Sequence, residues 1–291
     1  MKSYHEIIGD GGSNIAGQVL EQRDKIAKAM SGIKHRVAVG SGKGGVGKST
    51  VTRALAAVMA SRGQSVAILD ADLNGPTQAR MSGLSGVVPV PGERGLSLPR
   101  SKDGVGVFSI GALIPESEAL DFDSVSEGES HTWRATREFA ALGEVLGSVA
   151  WGKLDVLLFD LPPGTERTMQ FAEMLGPKTA FILLTIPSEV SRGVVARSVA
   201  ALSKAPNPVL GYVENMSGYA CSDCGTIKPL FPEAKDGITL DLPCLGRVPF
   251  DPAVAFACDR GLSFNDLPET AATRALGAIA NRLTESLESL R

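Results

Sequence analysis

The sequence predicts an α/β fold in which a mainly parallel β-sheet carries helices on both faces. Apolar segments of strand length alternate with segments of helical length and spacing, as in repeated β–α–β units. The chain has 291 residues, of which 33 are glycines and 5% are aromatic, and its formal net charge is −3. This composition favours an α/β enzyme over a surface on which nucleic-acid bases stack. The charge excludes a strongly basic nucleic-acid-binding protein.

Each strand is predicted from a short apolar run, and each helix from apolar residues at helical spacing. The predicted strands cover residues 35–40, 65–70, 105–110, 154–160, 179–186, 209–213 and 245–248. The predicted helices cover residues 14–31, 49–62, 133–149, 188–203, 252–258 and 269–290. Between them we expect a loop or short hairpin at 87–103, an acidic mobile segment at 116–130 and an irregular loop at 216–241. We interpret residues 1–34 as a helical extension and residues 35–291 as one domain.

The distribution of apolar residues and cysteines indicates the cellular location of the protein. No window approaches the roughly 20 apolar residues that cross a bilayer, and the first residues lack the apolar core of a secretion signal. All four cysteines lie at or beyond position 221, which is not the framework of a disulfide-rich secreted domain. We therefore expect a cytoplasmic protein with no membrane or nucleic-acid partner.

The segment that joins the first predicted strand to the first long helix fits the phosphate-binding pattern G-x-x-x-x-G-K-S/T. With the residue after it, the segment consists of Gly42, Lys43, Gly44, Gly45, Val46, Gly47, Lys48, Ser49 and Thr50. Glycines let backbone N–H groups turn toward phosphate oxygens, and the N-terminus of the helix adds a positive dipole. In this pattern Lys48 contacts the β- and γ-phosphates and Ser49 supplies a hydroxyl to Mg²⁺. The alternative is a glycine-rich turn that binds nothing.

Acidic residues follow two of the predicted strands. Asp72 lies just beyond the second strand, and Asp160 ends the fourth. Because an open α/β sheet binds its ligands outside the carboxyl ends of the strands, both carboxylates are expected beside the phosphate loop. We predict that Asp160 holds Mg²⁺ together with Ser49 and that Asp72 positions the attacking water, unless both aspartates only cap helices or form turns. The following Pro162-Pro163-Gly164 is expected to form a stiff lever that responds when the γ-phosphate leaves.

Cys221 and Cys224 are spaced so that both thiolates can reach one metal centre. Two cysteines are half of a tetrahedral set. The other half would come from Cys244 and Cys258 or from a second subunit, or else the pair binds no metal. Thiolates bind zinc and iron–sulfur clusters alike, so the spacing leaves both open. Cys258 lies among apolar residues of a predicted helix and is expected to be a buried hydrophobic residue.

The phosphate loop, with Lys43 next to its first glycine, resembles the deviant Walker A motif of the MinD/ParA/nitrogenase-iron-protein class of P-loop ATPases. Other segments carry a more specific resemblance: Asp70-Ala71-Asp72-Leu73-Asn74-Gly75-Pro76, Trp133-Arg134, Asp160-Leu161-Pro162-Pro163-Gly164-Thr165, Glu214-Asn215-Met216-Ser217, the cysteine pair and Val248-Pro249-Phe250-Asp251-Pro252. Over about residues 35–265, their order resembles the Mrp/ApbC family. One departure is Glu166-Arg167, where the family usually has Gly-Asp.

This resemblance implies an ATPase that carries an iron–sulfur cluster, usually a 4Fe–4S cluster, and delivers it to apo iron–sulfur proteins. The resemblance also implies a homodimer with ATP enclosed between the subunits. Lys43 would then act catalytically on the nucleotide of the facing subunit, unless it is an ordinary solvated lysine. Asn215 would contact the adenine edge, since its amide both donates and accepts. Cys221 and Cys224 of each subunit would together give the cluster four thiolates.

Two other interpretations remain open from the sequence. A positioning or regulatory switch of the MinD/ParA kind would use the same ATP site. A membrane anchor of that kind needs a basic amphipathic helix, and residues 276–291 do not have one. Alternatively, the cysteine pair is purely structural, with a zinc ion or free thiols in place of a cluster.

Overall fold

The computed structural model describes residues 24–112, 131–221, 224, 226–232 and 238–290. The helices are α1 (residues 24–29), α2 (Lys48–Ser61), α3 (Gln78–Met81), α4 (His131–Ser148), α5 (Thr165–Leu175), α6 (Glu189–Leu202), α7 (Pro252–Arg260) and α8 (Ala271–Ser289). The strands are β1 (Ile33–Ser41), β2 (Val66–Asp70), β3 (Pro91–Gly92), β4 (Gly95–Leu96), β5 (Gly106–Phe108), β6 (Leu154–Asp160), β7 (Thr179–Thr185), β8 (Val209–Ala220), β9 (Ile227–Lys228) and β10 (Cys244–Phe250). Two 3-10 turns, Ile110–Ala112 and Phe264–Asp266, complete the description.

Seven strands form one parallel sheet, and this confirms the predicted fold class. Their order across the sheet is β10-β8-β7-β1-β6-β2-β5, and the short β9 pairs antiparallel with β8. In register, Val39 of β1 and Asp70 of β2 both lie next to Asp160 of β6. The carboxyl ends of the three central strands therefore meet at one edge of the sheet, where an open α/β sheet binds its ligands.

Helices cover both faces of the sheet because successive strand residues point to opposite sides. In β6, Val156 and Leu158 belong to the core under α2, α7 and α8. The alternate residues Leu157 and Phe159 belong to the core under α4, α5 and α6. All four side chains are at most 1% exposed, so β6 is buried on both faces, as expected of a central parallel strand.

Most of the predicted elements occur close to their predicted bounds, but the region after β7 differs. β8 continues to Ala220 and pairs with β9, so residues 216–220 belong to a strand and not to the predicted irregular loop. Gly211 (φ 149°) and Met216 (φ 52°) depart from extended geometry inside β8, and its pairing with β10 shifts register twice. These irregularities break the alternation of apolar and polar residues by which a strand is recognised in a sequence.

Two helices have no counterpart among the predicted elements. α5 has buried residues at 168, 171, 172 and 175, which is helical spacing, but it starts directly after the chain-breaking Pro162-Pro163-Gly164. α3 has only four residues, too few to produce a period in the sequence. Conversely, the strand predicted at 105–110 is longer than the observed strand β5, which a 3-10 turn follows.

Several predictions concern residues outside the described part. The extension predicted at 1–34 is described only from residue 24, where α1 packs Ile26 against the core. The mobile segment predicted at 116–130 lies entirely outside, and the division of the chain at residue 35 stays a prediction. In the ranges that are described, no helix is both long and apolar enough to cross a membrane.

A buried ion pair anchors α2 to the far end of the chain. The Arg53 guanidinium donates to the Asp103 carboxylate, and both side chains are at most 1% exposed. Ser263 also donates to Asp103 at 2.5 Å, and the Phe264 ring lies 5.3 Å from the Arg53 guanidinium carbon. Burial alone would raise the pKa of Asp103, but its hydrogen bonds from Ser263 and Arg53 hold that pKa below its ordinary value.

We expect Asp103→Ala to lower the free energy of unfolding by about 3–5 kcal/mol, because it leaves the Arg53 charge buried without its partner. Chemical unfolding of the purified protein measures this cost. Arg53→Met combined with Asp103→Ala leaves no unpaired charge, so the double variant should lose clearly less than the sum of the two single losses. Additive losses would contradict the role given to the pair.

Candidate functional site

The predicted phosphate loop lies between β1 and α2 and lines an open cavity of about 270 Å³. Gly45 (φ 77°) and Gly47 (φ 79°) adopt left-handed backbone conformations, which glycine reaches without strain. Gly47 is the N-cap of α2 and no side chain caps that helix end, so its first N–H groups remain available. The loop and the helix dipole therefore present a positive, donor-rich wall to the cavity.

Lys48 and Asp160 form a buried ion pair beneath this loop. The Lys48 Nζ lies 2.5 Å from Asp160 Oδ1, and the two side chains are 8% and 0% exposed. The other carboxylate oxygen, Oδ2, accepts from Gln78 Nε2 at 2.8 Å, and the same amide nitrogen donates to the Ser49 carbonyl at 3.0 Å. Both oxygens of Asp160 thus accept hydrogen bonds from side chains of the chain itself. Sequence reasoning found Lys48, Ser49 and Asp160 but missed Gln78, which no motif marks.

Asp70, at the end of β2, organises the loop that leads to α3. Its Oδ2 accepts from the backbone N–H groups of Thr77 and Gln78 and from the Ser109 hydroxyl, each at 2.9 Å. Burial and the neighbouring Asp160 carboxylate raise the pKa of Asp70 to about 7, against the lowering effect of those donors. Sequence reasoning gave Asp70 no role of its own, although an aspartate that ends a buried strand is a recognisable signal.

Asp72 and Lys43 both line the phosphate cavity. Asp72 Oδ1 also accepts from the Gly75 backbone N–H at 3.2 Å, so it forms the turn that was its alternative interpretation. Lys43 is partly exposed, and among the described residues no carboxylate lies within ion-pair distance of it. The positions allow both catalytic roles, which stay predictions.

A second cavity, of about 100 Å³, adjoins the phosphate loop on the side of β8 and β10. Gly47, Thr50, Asn215 and Met216 line it together with residues 248–251. The Asn215 side chain is 7% exposed and donates to the Val46 carbonyl at 2.9 Å. A Cβ atom on Gly47 would lie only 2.3 Å from Asn215 Nδ2. Two segments whose bonded residues, Val46 and Asn215, are 169 positions apart therefore fit closely, and the role of Asn215 toward a base stays a prediction.

The cysteine pair lies in the turn between β8 and β9. Cys221 follows β8 directly, and its backbone N–H donates to the Thr226 carbonyl at 2.9 Å. Cys224 is exposed, and its hydrogen bonds with the side chain and backbone of Thr226 lower the pKa of its thiol. A lowered pKa favours the thiolate, which is the form that binds metals. In the described part of the chain, no cluster of three or more cysteine, histidine or acidic side chains could hold a metal ion.

The other two cysteines have different surroundings. Cys258 in α7 is 2% exposed, which confirms the buried residue predicted from its apolar neighbours. Burial raises the pKa of its thiol to about 11 and thus disfavours a metal-binding thiolate. Cys244 is exposed and pairs with Tyr212 between β10 and β8.

Helix α6 connects the phosphate loop to the strand that leads to the cysteines. Gly164 donates to the carbonyl of Ser41, and the next residue, Thr165, shares a 2.8 Å hydrogen bond with Ser198 of α6. Near the other end of α6, the Arg192 guanidinium lies 2.5 Å from the buried Glu214 carboxylate of β8. Glu166 and Arg167, the departure noted in the sequence, occupy the first turn of α5.

Comparisons with known proteins agree with this geometry. Residues 32–284 match the family model of the ParA group described as NUBPL iron-transfer P-loop NTPase. An iron–sulfur cluster carrier protein of Methanocaldococcus jannaschii is 35% identical over 276 residues, which cover 93% of this chain and 91% of that protein. One of the same name from Saccharolobus solfataricus is 34% identical over 91% of this chain and 88% of its own.

Solved structures agree as well. A nucleotide-binding protein of Archaeoglobus fulgidus in complex with ADP has a TM-score of 0.68 and 30% identity, covering 86% of this chain and 98% of its own. The septum site-determining protein MinD of Pyrococcus horikoshii, complexed with Mg-ADP, has a TM-score of 0.56 and 19% identity over 86% of this chain and 95% of its own. The second likeness shows the shared fold alone.

We expect Gly47→Ala to destabilise the protein clearly more than Gly63→Ala. Both glycines have left-handed backbones, with φ of 79° and 85°, so each substitution carries a backbone cost of about 1–2 kcal/mol. A Cβ at Gly63 meets nothing within 4 Å, whereas one at Gly47 displaces the Asn215 amide and its bond to Val46. Chemical unfolding of the two variants measures the difference, about 1 kcal/mol or more. Equal losses would contradict the described fit.

Proposed function

The chain belongs to the ParA-group family of NUBPL iron-transfer P-loop NTPases, and from that premise we propose that it hydrolyses ATP to carry and deliver a 4Fe–4S cluster. Two copies of the chain would hold the cluster between them, and apo iron–sulfur proteins would receive it. The proposed location of the protein is the cytoplasm. The observation that carries the proposal is the continuity of β8, which places Asn215 against the phosphate loop and Cys221 just beyond its end.

The phosphate cavity supports the proposed ATP site. Backbone N–H groups from Gly44 to Thr50 and the N-terminus of α2 would surround the β- and γ-phosphates. Lys48 would leave Asp160 and contact these phosphates instead, because one ammonium group cannot remain buried against the carboxylate and also neutralise the nucleotide. In the adjoining cavity, Asn215 would contact the adenine edge, and residues 248–251 would close over the nucleoside.

The residues around Asp160 fit a magnesium ion. Mg²⁺ prefers oxygen ligands. The Ser49 hydroxyl, on a residue that lines the phosphate cavity, and the buried carboxylate of Asp160, the ion-pair partner of Lys48, would supply them. When bound, the ion neutralises charge that develops on the transferred phosphoryl group. Asp72 would orient the water that attacks the γ-phosphate, because its carboxylate lines the same cavity. Lys43, at the mouth of that cavity, would contact the nucleotide of the second copy.

The cysteine pair supports the proposed cargo site. Each chain offers two free cysteines, the partly exposed Cys221 and the exposed Cys224, and the pKa of Cys224 is lowered. A cluster that takes four thiolates is completed by a second copy related by a twofold axis. Nucleotide and cargo would be coupled along β8 and through α6, whose Ser198 contacts Thr165 and whose Arg192 contacts Glu214.

Lys48→Ala should weaken ATP binding by roughly 100-fold, because it removes the charge that faces the phosphates in a largely buried site. Isothermal titration with ATP and Mg²⁺ measures this loss. Lys43→Ala is the matched comparison: it should bind ATP about as well as the natural chain, hydrolyse it about 1,000-fold more slowly and fail to dimerise with ATP. Unchanged hydrolysis in Lys48→Ala would overturn the proposed phosphate site. Undiminished ATP-dependent dimerisation in Lys43→Ala would make Lys43 an ordinary surface residue.

Anaerobic reconstitution tests the cargo. The natural chain should bind about one four-iron centre per two chains. Cys221→Ser and Cys224→Ser should each lose the iron while ATP binding is retained. Cys244→Ser and Cys258→Ala should keep it, since neither residue is needed for four thiolates. The measurement is iron and sulfide per chain, with Mössbauer spectra to identify the cluster. Full iron loading in the first two variants would refute the carrier function and leave an ATP switch, as would stoichiometric zinc.

A further inference from the structure

Gln78 is a fully buried amide with 0% exposure. Its Nε2 donates to Asp160 Oδ2 at 2.8 Å and to the Ser49 carbonyl at 3.0 Å. Because both of those partners can only accept, the amide NH₂ must face them and the amide oxygen must face away. Gln78 therefore joins the two residues that are proposed to hold Mg²⁺.

The oxygen end of the Gln78 amide has no hydrogen-bond partner among the described residues. Among the described residues, neither Gln78 Oε1 nor the neighbouring Thr77 Oγ1 has a hydrogen-bond partner, although both atoms are buried. Buried polar atoms are almost always paired in native proteins, so each of these two marks a place for a donor or an acceptor that comes from outside the chain. Thr77 lines the phosphate cavity, and Gln78, the next residue, is fully buried.

We propose that Gln78 is a positioning residue of the magnesium site, which holds Asp160 in place when Lys48 leaves it. The inference rests on the proposed nucleotide site and is independent of the cluster.

The chemistry of the two partners of Asp160 supports this role. Lys48 is a cation and neutralises the carboxylate at Oδ1, whereas Gln78 is neutral and leaves the negative charge available to a metal. Once Lys48 turns to the phosphates, Oδ1 becomes free, while the bond from Gln78 keeps Oδ2 and hence the plane of the carboxylate fixed. The Gln78 backbone is itself fixed, because its N–H donates to Asp70 Oδ2 at 2.9 Å.

A merely structural amide and a positioning residue predict different results. Loss of a structural amide would lower stability and weaken nucleotide binding equally with and without the metal. Loss of a positioning residue would weaken only the part of the affinity that Mg²⁺ contributes. The ratio of the dissociation constants measured without and with Mg²⁺ therefore separates the two, and it does not depend on turnover.

The experiment titrates the full-length chain with N-methylanthraniloyl-ADP in excess MgCl₂ and, separately, in excess EDTA. We expect Gln78→Met to bind the probe in EDTA within about twofold of the natural chain. In Mg²⁺ it should bind about tenfold more weakly than the natural chain does, the size of effect that one hydrogen bond to a charged group has. Gln64→Met is the matched control, since Gln64 precedes β2 at the opposite edge of the sheet, and it should leave both constants unchanged.

If Mg²⁺ increases the affinity for the probe by the same factor in Gln78→Met as in the natural chain, the inference is overturned. It is also overturned if the substitution lowers that affinity equally with and without Mg²⁺. If thermal unfolding shows that Gln78→Met does not fold, Gln78→Asn takes its place. This side chain keeps the amide but is one methylene too short to hold both partners, so the same loss of the Mg²⁺ contribution is expected. A natural chain that does not bind the probe at all would refute the nucleotide site itself. Loss of iron binding alone would leave the inference standing.

Discussion

The arrangement of the site depends on one constraint: the carboxyl ends of β1, β2 and β6 meet in register beneath the phosphate loop. Asp160 lies at that meeting point with no exposure to solvent, where an unpaired charge would be very unfavourable. Lys48 and Gln78 satisfy its two oxygens, and Asp70 in turn fixes the backbone that carries Gln78. The acidic centre is thus held together by contacts within the chain.

A second constraint is that one strand, β8, contacts the phosphate loop and also leads to the cysteine pair. Its middle packs Asn215 against the phosphate loop so tightly that Gly47 has no room for a Cβ atom, and its end leads directly into the turn with the cysteines. From Asn215 to Tyr219 the strand pairs with β10, and its last two residues pair with β9. The phosphate loop and the cysteine pair are thus joined through one strand, although these sites share no residue.

Much of the fold and of the candidate site could be predicted from the sequence, because the information is local. The phosphate loop is a contiguous string whose glycines and lysine have fixed tasks, and Asp160 ends an apolar run of strand length. Gln78 could not be predicted, because its importance comes from partners 29 and 82 residues away. The extent of β8 could not be predicted for a related reason: the strand bends at Gly211 and Met216, and its neighbours β7, β10 and β9 lie in other parts of the sequence.

The Lys48–Asp160 pair has a consequence for nucleotide affinity if Lys48 contacts the phosphates as proposed. Any nucleotide would then have to separate the pair, and the free energy of that separation would be the same for two phosphates as for three. A cost common to all ligands lowers every affinity by the same factor and cancels from their ratio. The pair would therefore set the general level of nucleotide affinity, while selectivity between di- and triphosphate would come from contacts beyond it.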